Sequence, residues 1–278
     1  MTDLFERSCA HWSEAKRREM EDFYALATAD YRHLAEAFDW RAWLERRQRE
    51  VGERWLRLLD IACGSGKFPA ALIRHADVAA ASVKPIDYAL LDPSGFSIRE
   101  ARRALDLPFV AGPEYEIPLQ ELSCAAGGFD IVWATHALYA LPREELDLSL
   151  ARFTEALRGG CGMIAHACSD AHYVRFHQAY LEAFKDGVGA TFTTAEEIVA
   201  ALERLGVDVE ATDLHYETVA SEAAEGHVEG FLQRCVFDDA VGLQDLLARE
   251  PTARYLSACF SAGAWRFPQR VKLIFLRA

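Results

Sequence analysis

The sequence lacks the features that mark secreted and membrane proteins. Its seven cysteines are scattered, odd in number and without a C-x-x-C pair, so we expect no disulfide framework and a reduced, cytoplasmic protein. No apolar run approaches the ~20 residues that a membrane span requires. The opening stretch MTDLFERSCAHW carries acids and aromatics where a signal peptide has a basic start and an apolar run. We therefore expect no membrane partner.

Basic residues are too few to favour nucleic acid as a partner. The 30 Lys and Arg residues stand against 43 Asp and Glu residues, a formal net charge of -13, and such a field repels phosphate backbones. The 278-residue chain has no internal repeat and no Pro/Gly/Ser-rich linker. With 51% hydrophobic residues it can bury a core throughout. We expect a small-molecule partner and a monomer or homodimer.

What the sequence has instead is an alternation of short apolar runs with helical segments. This alternation predicts an α/β protein with a doubly wound parallel sheet, whose ligands bind at the carboxyl ends of the strands. Two segments fall outside it, and we expect 1–54 to form a helical cap and 221–266 to be a substrate-covering helical insertion in a main domain of residues 55–278. The strand candidates are WLRLLDIA (55–62), DYALLD (87–92), PFVAG (108–112), FDIVWAT (129–135), CGMIAHAC (161–168), VDVEATDLHY (207–216) and RVKLIFLRA (270–278).

The most informative segment is the turn after the first strand, Asp60-Ile-Ala-Cys-Gly-Ser-Gly66. Glycines directly after a buried strand leave bare main chain against which a ligand can lie. A phosphate-binding P-loop is excluded, because Phe68 stands where Ser or Thr is required and Ile61 where the first glycine is required. A dinucleotide-binding loop is weakened by Pro69, which occupies its third small-residue position. Two interpretations of the segment remain: a turn that binds no ligand, and a loop that binds another nucleoside cofactor.

Two further positions follow predicted strands. Asp92 ends the second strand, where a carboxylate can accept both ribose hydroxyls of a nucleoside cofactor, or can cap the following helix. His136 follows the fourth strand, and an imidazole can accept a proton near neutral pH. Tyr139 lies one helical turn further on and could form a wall of the same pocket. The alternatives are a hydrogen-bonded histidine at a helix entry and a tyrosine of the core.

Taken together, five segments resemble the class I S-adenosylmethionine-dependent methyltransferases. They are LLDIACGSGKF, LLDPSGFSI, FDIVWATHALYAL, CGMIAHACSD and TTAEEIVAALERLGVDVEATDLHY, which span roughly residues 55–216. The resemblance implies a Rossmann-like sheet of seven strands, methyltransferase activity (EC 2.1.1) and S-adenosylmethionine as cofactor. It also implies cofactor contacts from Asp60, Ala62, Cys63, Gly64, Ser65, Gly66, Asp92, Pro93, Ser97, Glu116 and Thr135.

In detail the chain is most similar to histamine N-methyltransferase and its bacterial relatives. It shares their acid-Pro-Ser triplet after the second strand (92–94), their Leu-Tyr pair after the fourth (138–139) and an apolar last strand, VKLIFLRA. The family's polar substrate contacts differ in type here, so the resemblance implies a nitrogen of an amine or imidazole in a metabolite or natural-product intermediate, and not histamine itself. The family has a substrate-binding glutamine where this chain has His136, and from the position of His136 after the fourth strand we expect His136 and Tyr139 to be the catalytic pair. The expected substrate contacts are Asp30, Tyr31, His136, Tyr139, Tyr173, His177 and Gln269.

Other functions remain open at this point. They are methylation of a small hydroxyl or carboxylate, a nicotinamide-dependent oxidoreductase on a similar sheet, and a binding module that keeps the fold without catalysis. A metal site is not predicted, although His166, His172 and His177 follow one another around the fifth strand. On a helix, residues 172 and 177 are five apart and do not stack as a pair of metal ligands does.

Overall fold

The structure, a computed structural model, describes residues 3–123, 128–157 and 159–277; residues 1 and 278, the outer bounds of the predicted cap and main domain, lie outside these ranges. No helix in them has both the length and the apolar character needed to cross a membrane. The helices are α1 (Asp3–His11), α2 (Arg17–Glu36), α3 (Trp40–Val51), α4 (Lys67–His75), α5 (Gly95–Ala104), α6 (Leu146–Leu157), α7 (His172–Phe184), α8 (Ala195–Arg204), α9 (Glu225–Val236), α10 (Leu243–Ala248) and α11 (Thr252–Cys259). The strands are β1 (Leu56–Ile61), β2 (Ile86–Leu91), β3 (Phe109–Tyr115), β4 (Ile131–Thr135), β5 (Cys161–Ala167), β6 (Asp208–Ser221), β7 (Phe260–Ser261) and β8 (Ala264–Arg277).

Seven strands form one sheet in the order β3-β2-β1-β4-β5-β8-β6, and the two-residue β7 pairs with β8. The strands from β1 to β5 run parallel, with β1 between β2 and β4. The predicted α/β sheet of seven main strands is therefore confirmed. The expectation that the sheet is parallel throughout is wrong for β8, which runs antiparallel between β5 and β6.

The pair formed by β6 and β8 extends beyond the rest of the sheet. The two strands pair from Asp208 opposite Arg277 to Ser221 opposite Ala264, whereas β5 pairs with β8 only up to Ala167. The apolar runs did not predict this extension, because only one of its faces is buried, with Thr218 turned inward. Because antiparallel strands can pair without a crossover helix between them, β6 and β8 form a long hairpin. The insertion of α9 to α11 lies at the tip of this hairpin, between the end of β6 and the start of β8.

Local sequence signals explain two helix starts. Thr194 accepts a hydrogen bond from the Glu197 backbone N–H at 3.3 Å, and the Glu197 carboxylate accepts one from the Thr194 N–H at 2.9 Å. This capping box begins α8 as predicted. Pro69 is the third residue of α4, in the first turn, where a backbone N–H has no helical partner to lose.

Apolar side chains fill both faces of the sheet. Trp40 and Trp133 belong to the core on the face covered by α3 and α4, and Phe153 belongs to the core under α6 and α8. A third core around Phe231 and Phe267 joins α7, α9 and α11 to the extension of β8. The insertion is therefore packed against the body of the protein by its own hydrophobic core.

The N-terminal helices lie against this insertion. α2 packs on both α4 and α9. Arg7 of α1 donates a hydrogen bond from Nη2 to the Val236 carbonyl at 2.7 Å, and Ser94 Oγ donates to the Trp12 carbonyl at 2.8 Å. The segment from α1 to Trp12 thus connects the end of α9 to the turn after β2.

Candidate functional site

A cavity lies at the carboxyl ends of β1, β2 and β4, the edge at which open α/β sheets bind ligands. One end, here the loop end, is lined by main chain and side chains that follow these strands, among them Gly64, Asp92 and Thr135. The other, the aromatic end, is lined by Asp30 and Tyr31 of α2 together with Tyr139, Tyr173 and Phe192. Residues of α1 and α9 also line the cavity.

The glycine loop, residues 60–66, presents bare main chain to the loop end. Gly64 has a φ of +52°, and a Cβ atom there would lie 3.5 Å from Tyr24 Oη, so a side chain at this position would enter the cavity that Gly64 lines. Position 66 requires glycine for a different reason: a Cβ atom there would lie 3.1 Å from Ala101 Cα of α5. Gly66 therefore permits close helix packing, and Gly64 leaves room for a ligand.

Asp92 holds the glycine loop in place and still has acceptor capacity. Its Oδ2 accepts the Gly64 N–H at 3.1 Å and its Oδ1 accepts the Ser94 N–H at 2.9 Å. Burial raises the pKa of Asp92 to about 6, and these backbone hydrogen bonds oppose the rise. The Ser97 side chain donates to this carboxylate as well. A carboxylate has about four lone-pair positions, so one ribose hydroxyl can still be accepted, and a second could replace the Ser97 hydroxyl. The cap of α5 is Ser94, whose Oγ accepts the Ser97 N–H.

This arrangement argues against a dinucleotide at the loop. A pyrophosphate would need free N–H donors at the turn after β1. The Gly64 N–H is already bonded to Asp92, and the carboxylate would repel a second anion beside it. The geometry suits a nucleoside without a pyrophosphate.

His136 follows β4 with a φ of +52°, and its Nδ1 shares a hydrogen bond of 2.7 Å with Tyr139 Oη. Nε2 is buried and has no partner within the described ranges. Burial, with a contribution from His166, lowers the pKa of His136 to about 3. In contrast to the sequence-based expectation of proton uptake near neutral pH, desolvation therefore favours the neutral ring. It can act as a neutral hydrogen-bonding group.

Asp30 is the carboxyl group of the aromatic end. It is 2% exposed and accepts hydrogen bonds from Tyr173 Oη and, at 3.3 Å, from Thr218 Oγ1. Burial raises the pKa of Asp30 to about 6, and neutral hydroxyl groups oppose the rise. At neutral pH the group is thus mostly ionised but close to its midpoint, and suited to hold a cation or to take up a proton.

Aromatic rings surround these polar groups. Tyr139 and Tyr173 have ring centroids 5.8 Å apart, and Tyr31 meets the His136 ring edge to face at 5.9 Å. Lys67 Nζ lies 4.7 Å from the centroid of Tyr24 near the loop. Electron-rich ring faces stabilise a cationic ligand, so the cavity suits a sulfonium or an ammonium group.

The structure brings together most of the residues named from the sequence. Of the implied cofactor contacts, those that line the cavity are Asp60, Ala62, Cys63, Gly64, Asp92, Pro93 and Thr135; of the implied substrate contacts, they are Asp30, Tyr31, His136, Tyr139 and Tyr173.

Six named residues lie outside the cavity lining: Ser65, Gly66, Ser97, Glu116, His177 and Gln269. Glu116 is exposed and sits against Gly95 at the start of α5. His177 stacks on Phe192 at 3.9 Å between ring centroids, so that Phe192 lies between it and the cavity. Gln269 is buried in β8 opposite Tyr216.

Sequence reasoning missed many of the residues that line the cavity, among them Trp12, Tyr24, Lys67, Phe192 and Arg234. Lys67 had a local signal, since it directly follows the glycine loop. Phe192 and Arg234 had none, because they reach the cavity from elements far along the chain.

The histidines near β5 have partners other than a metal. His166 Nε2 lies 3.0 Å from the Thr193 carbonyl, and His172 Nδ1 lies 3.0 Å from Tyr255 Oη. Across the described ranges, no group of three or more His, Cys, Asp or Glu residues is placed to hold a metal ion.

Comparison with known proteins gives matches among solved structures. A scan against family models and a search of curated proteins found no match. The magnesium protoporphyrin IX methyltransferase of Synechocystis, solved with S-adenosylhomocysteine, is 12% identical with a TM-score of 0.56, and the match covers 99% of this chain and 100% of that one. An S-adenosylmethionine-dependent methyltransferase of Leishmania major is 12% identical with a TM-score of 0.50, covering 98% and 82%.

A structure from Thermotoga maritima, described as a possible histamine N-methyltransferase, is also similar. It is 12% identical with a TM-score of 0.50, and the match covers 96% of this chain and 98% of that one. At 12% identity these similarities show a shared fold. The chain has the fold of the class I S-adenosylmethionine-dependent methyltransferases.

Proposed function

We propose that the protein transfers a methyl group from S-adenosylmethionine to an amine or imidazole nitrogen of a small molecule. One observation carries the proposal: a single cavity joins bare main chain at Gly64, beside Asp92, to an aromatic end that contains the buried carboxyl group of Asp30. The net charge of -13 supports a small acceptor over a nucleic acid.

The loop end fits the cofactor. Asp92 would accept the ribose hydroxyls, Gly64 would lie against the sulfur-bearing chain, and Lys67 would meet the carboxylate of the amino-acid part. When bound, S-adenosylmethionine supplies a methyl group already activated on a sulfonium, so the reaction chiefly requires alignment. The side chains at this end therefore bind and orient, and none needs to act as a nucleophile.

At the aromatic end Asp30 would bind the acceptor nitrogen. An amine arrives largely protonated, and methyl transfer needs its lone pair. An ionised Asp30 holds the ammonium form and takes its proton, while Tyr173, which donates to Asp30, keeps the carboxylate in place. His136 Nε2 is left to hydrogen-bond the acceptor, and the Tyr139 hydroxyl orients the ring.

The segments outside the alternating strands and helices would close the site. We propose that residues 1–54 act as the cap and 221–266 as the covering insertion, because α1 and α9 both line the cavity and are hydrogen-bonded to each other. Exclusion of water strengthens the electrostatics of the aligned groups. It also keeps the activated methyl group from reacting with water.

Two measurements test the proposal. Calorimetry with S-adenosylhomocysteine and with NADH should give binding of the first and none of the second; the reverse would favour an oxidoreductase. A panel of amines, imidazoles, phenols and carboxylic acids is then incubated with methyl-labelled S-adenosylmethionine. Label on nitrogen is expected. Label only on oxygen would support O-methylation, and binding without any transfer would indicate a non-catalytic binding module.

Asp92→Ala should weaken S-adenosylhomocysteine binding by about 1–3 kcal/mol, because charged hydrogen bonds to the ribose are lost. Calorimetry on both proteins measures this difference. Asp92→Asn is the matched control, since it keeps one acceptor oxygen and should lose less. Unchanged affinity in both variants would show that another group holds the ribose.

A further inference from the structure

Arg234 is a buried cation of the cavity that forms no close ion pair with any carboxylate in the described part of the chain. It lies near the end of α9, lines the cavity and is 2% exposed. Its Nη1 donates to the His11 carbonyl, but Nε and Nη2 are buried with no partner within the described ranges. Asp239 and Glu19 attract Arg234 at longer range and oppose the effect of burial, which lowers its pKa. Asp239 Oδ2 pairs with Lys16 at 2.8 Å and its Oδ1 lies 3.6 Å from His11 Nδ1. An unpaired buried charge is costly, so its retention points to a ligand.

The surroundings of Arg234 connect it to the aromatic end through Trp12 and Phe237. The guanidinium carbon lies 5.1 Å from the centroid of the Trp12 ring, and Trp12 packs in one cluster with Tyr139, Phe192 and Phe237. Phe237 follows Arg234 closely in the chain and also lines the cavity. Trp12 also meets the Tyr24 ring at 5.8 Å between centroids, and Tyr24 lies beside Gly64. Arg234 therefore reaches the cavity where the aromatic end adjoins the loop end.

The free nitrogens define the chemistry of the partner. In an arginine, the Nε–H and one Nη2–H point in the same direction, and together they match the two oxygens of a carboxylate. The other basic side chain that lines the cavity, Lys67, adjoins the glycine loop and would meet the cofactor's own carboxylate. One cation is then left for an anion that the cofactor does not supply.

We propose that Arg234 binds a carboxylate group of the acceptor, so that the acceptor is an amino-carboxylate whose nitrogen faces Asp30. This inference rests on the proposed function and deepens it. A simple amine such as a decarboxylated amino acid would leave Arg234 buried and unpaired. The carboxylated compound would satisfy both charges that the aromatic end contains.

The test uses matched pairs of compounds that differ by one carboxylate: histidine and histamine, tyrosine and tyramine, tryptophan and tryptamine. Their binding to protein saturated with S-adenosylhomocysteine is measured by calorimetry for the wild type, Arg234→Met and Arg234→Lys. In at least one pair the wild type should prefer the carboxylated member by about 10- to 100-fold, the worth of a charged hydrogen bond. Arg234→Met should bind both members alike.

Controls separate this role from a structural one. Arg249→Met removes an arginine of the same insertion that is stacked on Phe184 at 4.8 Å, and it should keep the preference. Without ligand, Arg234→Met should melt at the same temperature as the wild type or higher, because an unpaired buried charge is removed. Arg234→Lys keeps the charge but not the paired N–H groups, so its preference should fall, which preserves the test if the Met variant does not fold.

Two results would overturn the inference. The first is that the wild type shows no preference for the carboxylated member of any pair. The second is that Arg234→Met loses affinity for S-adenosylhomocysteine but keeps it for methylthioadenosine, which lacks the amino-acid part. The second result would assign Arg234 to the cofactor's carboxylate. Failure of the proposed function is distinct, since the wild type would then not bind S-adenosylhomocysteine at all.

Discussion

Asp30→Asn is expected to lower the turnover of methyl transfer by about 10²- to 10⁴-fold, the range for loss of a general base. The amide cannot take the proton from an acceptor ammonium, whereas binding of S-adenosylhomocysteine at the loop end should be nearly unchanged. The wild-type rate should rise as the pH passes about 6, the pKa to which burial raises Asp30. Turnover with the acceptor found in the labelling panel, measured against pH, tests both statements.

The same variant should be more stable than the wild type at high pH. Burial raises the pKa of Asp30 from 3.8 to about 6, so the folded protein holds this proton more tightly than the unfolded chain. Ionising the buried Asp30 therefore destabilises the folded protein. This loss of stability is absent below about pH 4, grows as the pH rises, and reaches its full value above about pH 6. It amounts to about 3 kcal/mol. Asp30→Asn should recover up to that amount at pH 8 and little at pH 4.

Urea denaturation at the two pH values measures the effect, with Asp213→Asn as the control of opposite sign. Hydrogen bonds from Lys272 and Arg270 lower the pKa of Asp213, so this exposed carboxylate stabilises the fold above its ordinary pKa and its removal should destabilise the protein at pH 8. If Asp30→Asn loses stability together with activity, Asp30 serves the fold and not the reaction.

Gly64→Leu is expected to abolish cofactor binding, with S-adenosylhomocysteine affinity lowered by roughly 100-fold or more, as the loss of several contacts at about 1 kcal/mol each implies. The new side chain would enter the cavity that Gly64 lines and would displace the cofactor chain. The left-handed backbone at φ +52° adds a stability cost of about 1–2 kcal/mol.

Gly206→Leu is the matched control for this strain. Gly206 has a φ of +73° with no heavy atom within 4 Å of a Cβ position, and it lies outside the cavity lining. It should lose a similar amount of stability and keep full S-adenosylhomocysteine affinity. Equal binding by Gly64→Leu and the wild type would show that the cofactor does not lie on this loop, and the proposed function would fail.

Predictions with a local cause agree with the structure. The capping box at Thr194 begins α8, and Pro69 lies in the first turn of α4. The strands before the glycine loop and before Asp92 were visible as short apolar runs, because parallel strands are buried on both faces. The direction of β8 was not visible, since an apolar run does not state which neighbour it pairs with or in which sense.

Burial changes the ionisation that the sequence led us to expect. His136 was expected to accept protons near neutral pH, but it is enclosed by Tyr31 and Tyr139 and its pKa falls to about 3. Burial raises the pKa of Asp30 to about 6, which is why we propose Asp30 and not His136 as the base. The residue types were readable from the sequence, but their desolvation was not, because it depends on side chains that arrive from other elements.

By itself the sequence determined the alternating strands and helices, the glycine turn, and the acid that follows the second strand, because each depends on residues close together in the chain. Only the tertiary structure decided that Asp30 of α2 and Arg234 of α9 enter the same cavity. The two residues lie far apart in the sequence, and the packing of the cap against the insertion brings them together. Burial then raises the pKa of Asp30 and makes the charge of Arg234 costly, since the cost of an ion depends on everything packed around it.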